Sequence, residues 1–139
     1  MLLVAAAWGA MACSESRSQA MGRKLFEGQL PLVARLAGDD MLLPPEASRC
    51  ANCHLLAAAG GPADASGTAT FGPPLTAVGL AQPQRRRGGP RSRYSVETFC
   101  TVLRSGVDPA HILVERAMPR YQIDNEGCQA LWRHLTGLR

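Results

Sequence analysis

Residues 47–57 read ASRCANCHLLA. Two cysteines, Cys50 and Cys53, stand with two residues between them, and His54 follows the second directly. Three chemistries use such a cluster: a zinc site, a redox dithiol, or covalent attachment of haem. A closed structural zinc site takes four protein ligands, normally as two Cys or His pairs. The remaining histidines, His111 and His134, are isolated, and Cys100 and Cys128 stand singly. A thioredoxin-like dithiol expects a βαβ setting, and no strand pattern here supplies one. Two thiols at this spacing can instead add to the two vinyl groups of one haem, with the adjacent imidazole reaching the iron. The stretch therefore predicts a single covalent haem c, anchored by Cys50 and Cys53, with His54 as its proximal iron ligand.

A chain of 139 residues has room for one domain with a modest core. Aromatics make up only 5% of it, so a buried cofactor or a cross-link is a natural source of added stability. A hydrophobic fraction of 46% and a net charge of +4 exclude an intrinsically disordered chain. The basic residues are almost all arginine, Lys24 being the single lysine, and they crowd into QRRRGGPRSR at 84–93 with its flanking Gln82. That stretch reads as a solvated loop whose arginines, Arg85, Arg86, Arg87, Arg91 and Arg93, can orient an acidic redox partner. A basic patch alone is only an electrostatic footprint, and no nucleic-acid partner is expected.

Residues 2–12 are apolar and small, too short to span a bilayer as a helix and suited to a signal-peptide core. GAMAC, ending at Cys13, resembles a bacterial lipobox with Ala10 where leucine is usual, so lipidation of Cys13 and ordinary cleavage nearby both stay open. Residues 1–19 are read as signal plus polar tether and 20–139 as the domain. Export implies an oxidising periplasm, with membrane contact only through the signal or a lipid.

Helical spacing appears at 20–27, where Met21 and Leu25 share a face with Ala20 and Phe26, and again at 95–106 and 124–136. Ser95 and Gly106 bound the second helix, and Asp124 or Asn125 caps the third. A short turn of helix is expected around Val33–Leu36 and another over Leu75–Leu80. Nothing alternates for long enough to demand a sheet. The expected fold class is all-α with long loops, an arrangement that calls for something large at its centre.

Taken together, these motifs resemble the monohaem class I cytochromes c over nearly all of residues 20–138. GRKLF at 22–26 is similar to that family's first helix, whose glycine and aromatic pack against the last helix. CANCH at 50–54 is the haem-binding motif. GPPL at 72–75 resembles the segment whose proline carbonyl, here that of Pro73, takes the second ring proton of the proximal histidine. AMPRY at 117–121 resembles the distal-ligand loop, and ALWRHL at 130–135 the closing helix. The resemblance implies a cytochrome c fold of three to five helices wrapped around one haem. Residues 28–46 depart from it as an insertion ahead of the haem motif.

Met118 is the expected sixth ligand: it lies in a loop between two helices, and Pro119 stiffens that loop. Met21 belongs to a helix face and Met41 to the insertion, while His111 and His134 are expected at the surface. Cys100 and Cys128 fall on apolar faces of two neighbouring helices, and in an oxidising compartment a disulfide between them is expected. With both axial positions filled, one-electron transfer is the chemistry left. No nucleophile or acid–base pair points to an enzyme. Two alternatives remain: a haem-bearing subunit of a periplasmic dehydrogenase or oxidase, or a sensor or peroxidase with a labile Met118.

Overall fold

The structure, a computed structural model, describes residues 15–56 and 72–137. The apolar run at 2–12 and Cys13, with the export and lipidation expected of them, lie outside the described residues. Among the described residues four α-helices follow one another: α1 (Arg17–Glu27), α2 (Ala77–Ala81), α3 (Val96–Ser105) and α4 (Asn125–Thr136). Four short strands accompany them: β1 (Val33–Arg35), β2 (Gln84–Arg85), β3 (Arg91–Ser92) and β4 (Arg120–Gln122).

The expectation of an all-α cytochrome c fold, with three to five helices wrapped around a haem, is therefore wrong. The domain is a mixed one, its helices joined by two small antiparallel sheets, β1–β4 and β2–β3. The segment around Val33–Leu36, expected to turn helically, is β1. It aligns Val33, Ala34 and Arg35 with Gln122, Tyr121 and Arg120 of β4. Strands of two or three residues carry too little alternation to announce themselves, and β1 forms only because β4, distant in sequence, offers a paired edge. Ala34 and Tyr121, opposite one another, are both buried. The inserted residues thus supply a strand and its return: Leu43 donates its amide to the Ala34 carbonyl at 2.8 Å.

The helices keep closer to their sequence signals. Ser95 caps α3 by accepting the Thr98 amide, and Gly106, at φ 77°, closes it in the left-handed conformation that side chains resist. Asp124 caps α4. Helix α1 starts earlier than the apolar pattern suggests, because Ser16 and Gln19 form a reciprocal capping box over polar residues otherwise read as tether.

Helices α1 and α4 make the most extensive contact. Gly22 lies where they cross, and a Cβ there would overlap the Ala130 carbonyl. Phe26 packs beside it, its ring 6.0 Å from that of His134. His134, expected at the surface, is in fact 6% exposed, and its Nε2 has no hydrogen-bond partner among the described residues. Burial lowers its pKa below the ordinary histidine value, so it serves the crossing as a neutral, packed ring. The core continues through Leu25, Phe99, Leu103, Cys128, Leu131 and Leu135, with Phe99 stacked near Trp132 at 5.5 Å.

The basic stretch at 84–93 is folded as the β2–β3 hairpin. Arg86 donates to the carbonyls of Ser92 and Gly79 and lies 4.9 Å over the Tyr94 ring. Arg87 reaches Asp108 at 2.6 Å. The Asp108 side chain is fully enclosed and also accepts the amides of Ala110 and Ile112, each at 2.9 Å. Burial pushes its carboxyl upward, but those amides and the Arg87 guanidinium outweigh that and hold it below the usual carboxylate value. A carboxylate so depressed stabilises the fold above its unfolded pKa of about 3.9 and loses that contribution as pH falls through the folded value. Asp108→Ala removes the acceptor of two loop amides and strands a half-buried guanidinium, so a loss of roughly 3 kcal/mol is expected at neutral pH. Urea unfolding measured at pH 7 and pH 3 checks this: the parent and the variant should converge in acid.

Candidate functional site

The cysteine–histidine motif begins as a single 3-10 turn, Cys50–Asn52, closed by the Cys53 and His54 amides, which both donate to the Cys50 carbonyl at 3.1 and 2.9 Å. Cys50, Cys53 and His54 therefore sit on one tight turn, with both thiols free. The turn is tied on both sides. The Gly72 amide donates to Cys53 O at 3.0 Å, and the Leu75 amide to Leu55 O at 2.8 Å. Between those anchors, His54 Nδ1 lies 2.8 Å from the Pro73 carbonyl oxygen.

That contact decides what the imidazole can do. A carbonyl only accepts, so Nδ1 carries the proton, and Nε2 is left as the ring's donor atom. A carbonyl partner behind a ligating histidine orients the ring and raises its basicity. Gly72 completes the support: a Cβ there would press into the His54 ring. Leu55 and Leu56, directly after the histidine, are exposed apolar side chains.

The zinc reading fares poorly on this geometry. Among the described residues no three His, Cys, Asp or Glu side chains come together as a set that could hold a metal ion. Cys50, Cys53 and His54 thus do not converge as zinc ligands do. Burial pushes the Cys50 thiol up to about 11, only partly offset by the Tyr121 hydroxyl beside it. The residues present would fit haem c: an imidazole whose Nε2 is left to ligate and two free thiols on the same turn.

Tyr121 was not singled out by sequence reasoning, yet it ties the motif to the sheet. Its hydroxyl donates to the Ser48 carbonyl at 2.9 Å, two residues before Cys50. The buried Ser48 hydroxyl in turn reaches the carbonyls of Leu32 and Pro45, both at 3.1 Å. No motif signals this network, because its partners are main-chain atoms, at Leu32 and at 45–48, far from Tyr121 in sequence.

Met118 follows the loop that leaves α3 and precedes β4. It is partly buried and rests on the same core cluster as Cys50 and Leu75. Met41 is 73% exposed, and Met21 packs on the core from α1. His111 is exposed at φ 61°, in a turn around Asp108. Cys100 and Cys128 face one another between α3 and α4, with Cα atoms 5.6 Å apart and sulfurs at bonding distance, inside the range a disulfide spans.

The chain matches no protein-family model, no curated protein and no solved structure. The geometry of the site therefore carries the functional reading alone.

Proposed function

We propose that this protein is an exported one-electron carrier holding a single haem c. Cys50 and Cys53 anchor the group through thioethers, His54 and Met118 are its axial ligands, and the Pro73 carbonyl fixes the His54 ring. Kinship with the monohaem class I cytochromes c, on the motifs they share, is part of the proposal. When bound, haem c supplies a reversible one-electron iron couple. Everything else is the chain's own work. His54 Nδ1 keeps its proton on the Pro73 carbonyl, which leaves Nε2 to ligate. Tyr121 and Ser48 hold the cysteine turn against the sheet, and the Met118 loop presents a thioether, a ligand that favours the reduced state. The observation that carries this reading is the 2.8 Å contact between His54 Nδ1 and Pro73 O, on a turn that also bears two free thiols.

The deciding experiment is the ferric absorption spectrum of the haem-loaded protein. A weak far-red sulfur–iron charge-transfer band is expected, and Met118→Ala should abolish it. Persistence of the band in that variant would move the ligand to Met21 or Met41. A parent protein without the band, binding carbon monoxide rapidly when reduced, would favour a sensor or peroxidase.

The hairpin bears on the partner. Arg86 and Arg87 are occupied by internal contacts and Arg91 donates to the Pro83 carbonyl at 3.2 Å, while Arg85, Arg91 and Arg93 remain exposed to an acidic redox partner. Arg85 and Arg91 stand directly opposite in register. Such a like-charge pair is mildly unfavourable in a free hairpin and is relieved by an anionic surface. Electron-transfer rates with an acidic partner should fall as salt rises, since exposed charges are screened beyond roughly 8 Å at physiological ionic strength. Salt-independent rates in stopped flow would assign the hairpin no steering role.

A further inference from the structure

Arg120 is the most unusual charged residue beside the ligand loop. Its side chain is partly buried, and among the described residues it forms no ion pair with a carboxylate. Its donors go to main-chain oxygens instead: one to the carbonyl of Met118 and another to that of Val114, the latter at 3.2 Å. Beneath it lies Gly106, where a Cβ would collide with the guanidinium. The Gly106 carbonyl also accepts the Val114 amide at 2.8 Å. One side chain therefore spans both limbs of the loop, touching it where it leaves α3 and where it returns.

The base of that clasp is firm. Arg120 opens β4, opposite Arg35 of β1. Two arginines across a ladder normally repel. Here Arg35 has Asp40 at 3.8 Å, and Arg120 turns its charge into the loop carbonyls. A guanidinium stays charged and offers its donors in a rigid fork, so it can hold two carbonyls that no neutral side chain of its reach could hold together. Pro119 lacks an amide of its own to tie down this stretch, and the other main-chain bond at Met118 is its amide to Glu115 O at 3.1 Å.

We propose that Arg120 is the positioning residue of the sixth ligand: by clasping the Met118 and Val114 carbonyls over Gly106, it decides how readily the Met118 thioether leaves the iron. This inference rests on the proposed haem function and on Met118 as ligand. It explains why the β1 insertion matters to the site, since β1 holds the strand from which Arg120 projects.

The test uses the full-length, haem-loaded protein with Arg120→Lys, which keeps the charge and loses the fork, and Arg120→Gln, which loses both. Three measurements are made: carbon monoxide affinity of the reduced form, the temperature at which the ferric far-red band disappears, and the far-UV unfolding midpoint. Two charge-assisted hydrogen bonds hold the loop, so their loss should raise carbon monoxide affinity about tenfold or more. The band should vanish well below the unfolding midpoint in both variants. If Arg120→Gln does not fold, Arg120→Lys alone decides. Parent-like affinity and band in Arg120→Lys overturn the proposal, as does loss of band and fold together, which would make Arg120 merely structural. A parent protein that shows no far-red band at all fails the haem–methionine reading first, and the clasp with it.

Discussion

Replacing Cys50 and Cys53 together by alanine is expected to release the haem: acidified acetone should then extract all colour from the polypeptide, while the parent keeps its colour through the same treatment. The effect is all-or-none because thioether bonds survive conditions that break axial ligation. A single replacement leaves one thioether and should retain colour at lower yield. The geometry makes the two thiols available for this chemistry: they are free, they share one turn with His54, and that turn is held by Gly72, Leu75 and Tyr121 from outside. His54→Ala probes another aspect, since it removes the proximal nitrogen and leaves both anchors. Its product should be coloured but should lack the spectrum of a six-coordinate haem. Colour extracted from the parent itself would refute covalent attachment, and with it the reason for reading the motif as haem rather than dithiol.

The second large effect is expected at Cys100 and Cys128. A bridge there ties the helix before the Met118 loop to the helix after it, across 28 positions of sequence. By the chain-entropy account, closing such a loop stabilises the fold on the order of 3 kcal/mol, less any native-state strain. Arg104 already links the same ends, donating to Ile123 O at 3.0 Å and Asn125 Oδ1 at 2.9 Å, so the helices should stay neighbours without the bridge. Cys100→Ala with Cys128→Ala should therefore fold but melt earlier, by roughly 10 °C or more for a domain of this size. The far-red band should vanish earlier too, because the bridge anchors both ends of the ligand loop. Intact mass under non-reducing denaturation decides the premise: alkylation at both residues would mean that the bridge does not form.

Parts of the domain were legible because they depend on neighbours in sequence. The α3 and α4 caps at Ser95 and Asp124, and the terminating glycine at 106, act within one helical turn, where residue type nearly dictates conformation. The cysteine–histidine turn is equally local. Where the reading failed, the cause lies far along the chain. Val33–Arg35 looked helical because its pairing partner is at 120–122. His134 looked exposed because its ring is polar, although it follows Ala130 and Leu131 at helical spacing on the buried face of α4. Arg86 and Arg87 looked like free surface charge until the hairpin aimed one at main-chain carbonyls and the other at an enclosed carboxylate.

The sequence by itself determined the chemistry on offer: two thiols and an imidazole at one spacing, a proline-bounded methionine, and two cysteines on apolar helical faces. Each of these is a property of residue type and short-range spacing, which the chain states directly. Only the tertiary structure decided that the domain carries sheets as well as helices, that Tyr121 and Ser48 brace the cysteine turn, and that Arg120 spans the methionine loop. The Tyr121 and Ser48 contacts reach main-chain carbonyls distant in sequence, and a backbone carbonyl has the same chemistry at every residue.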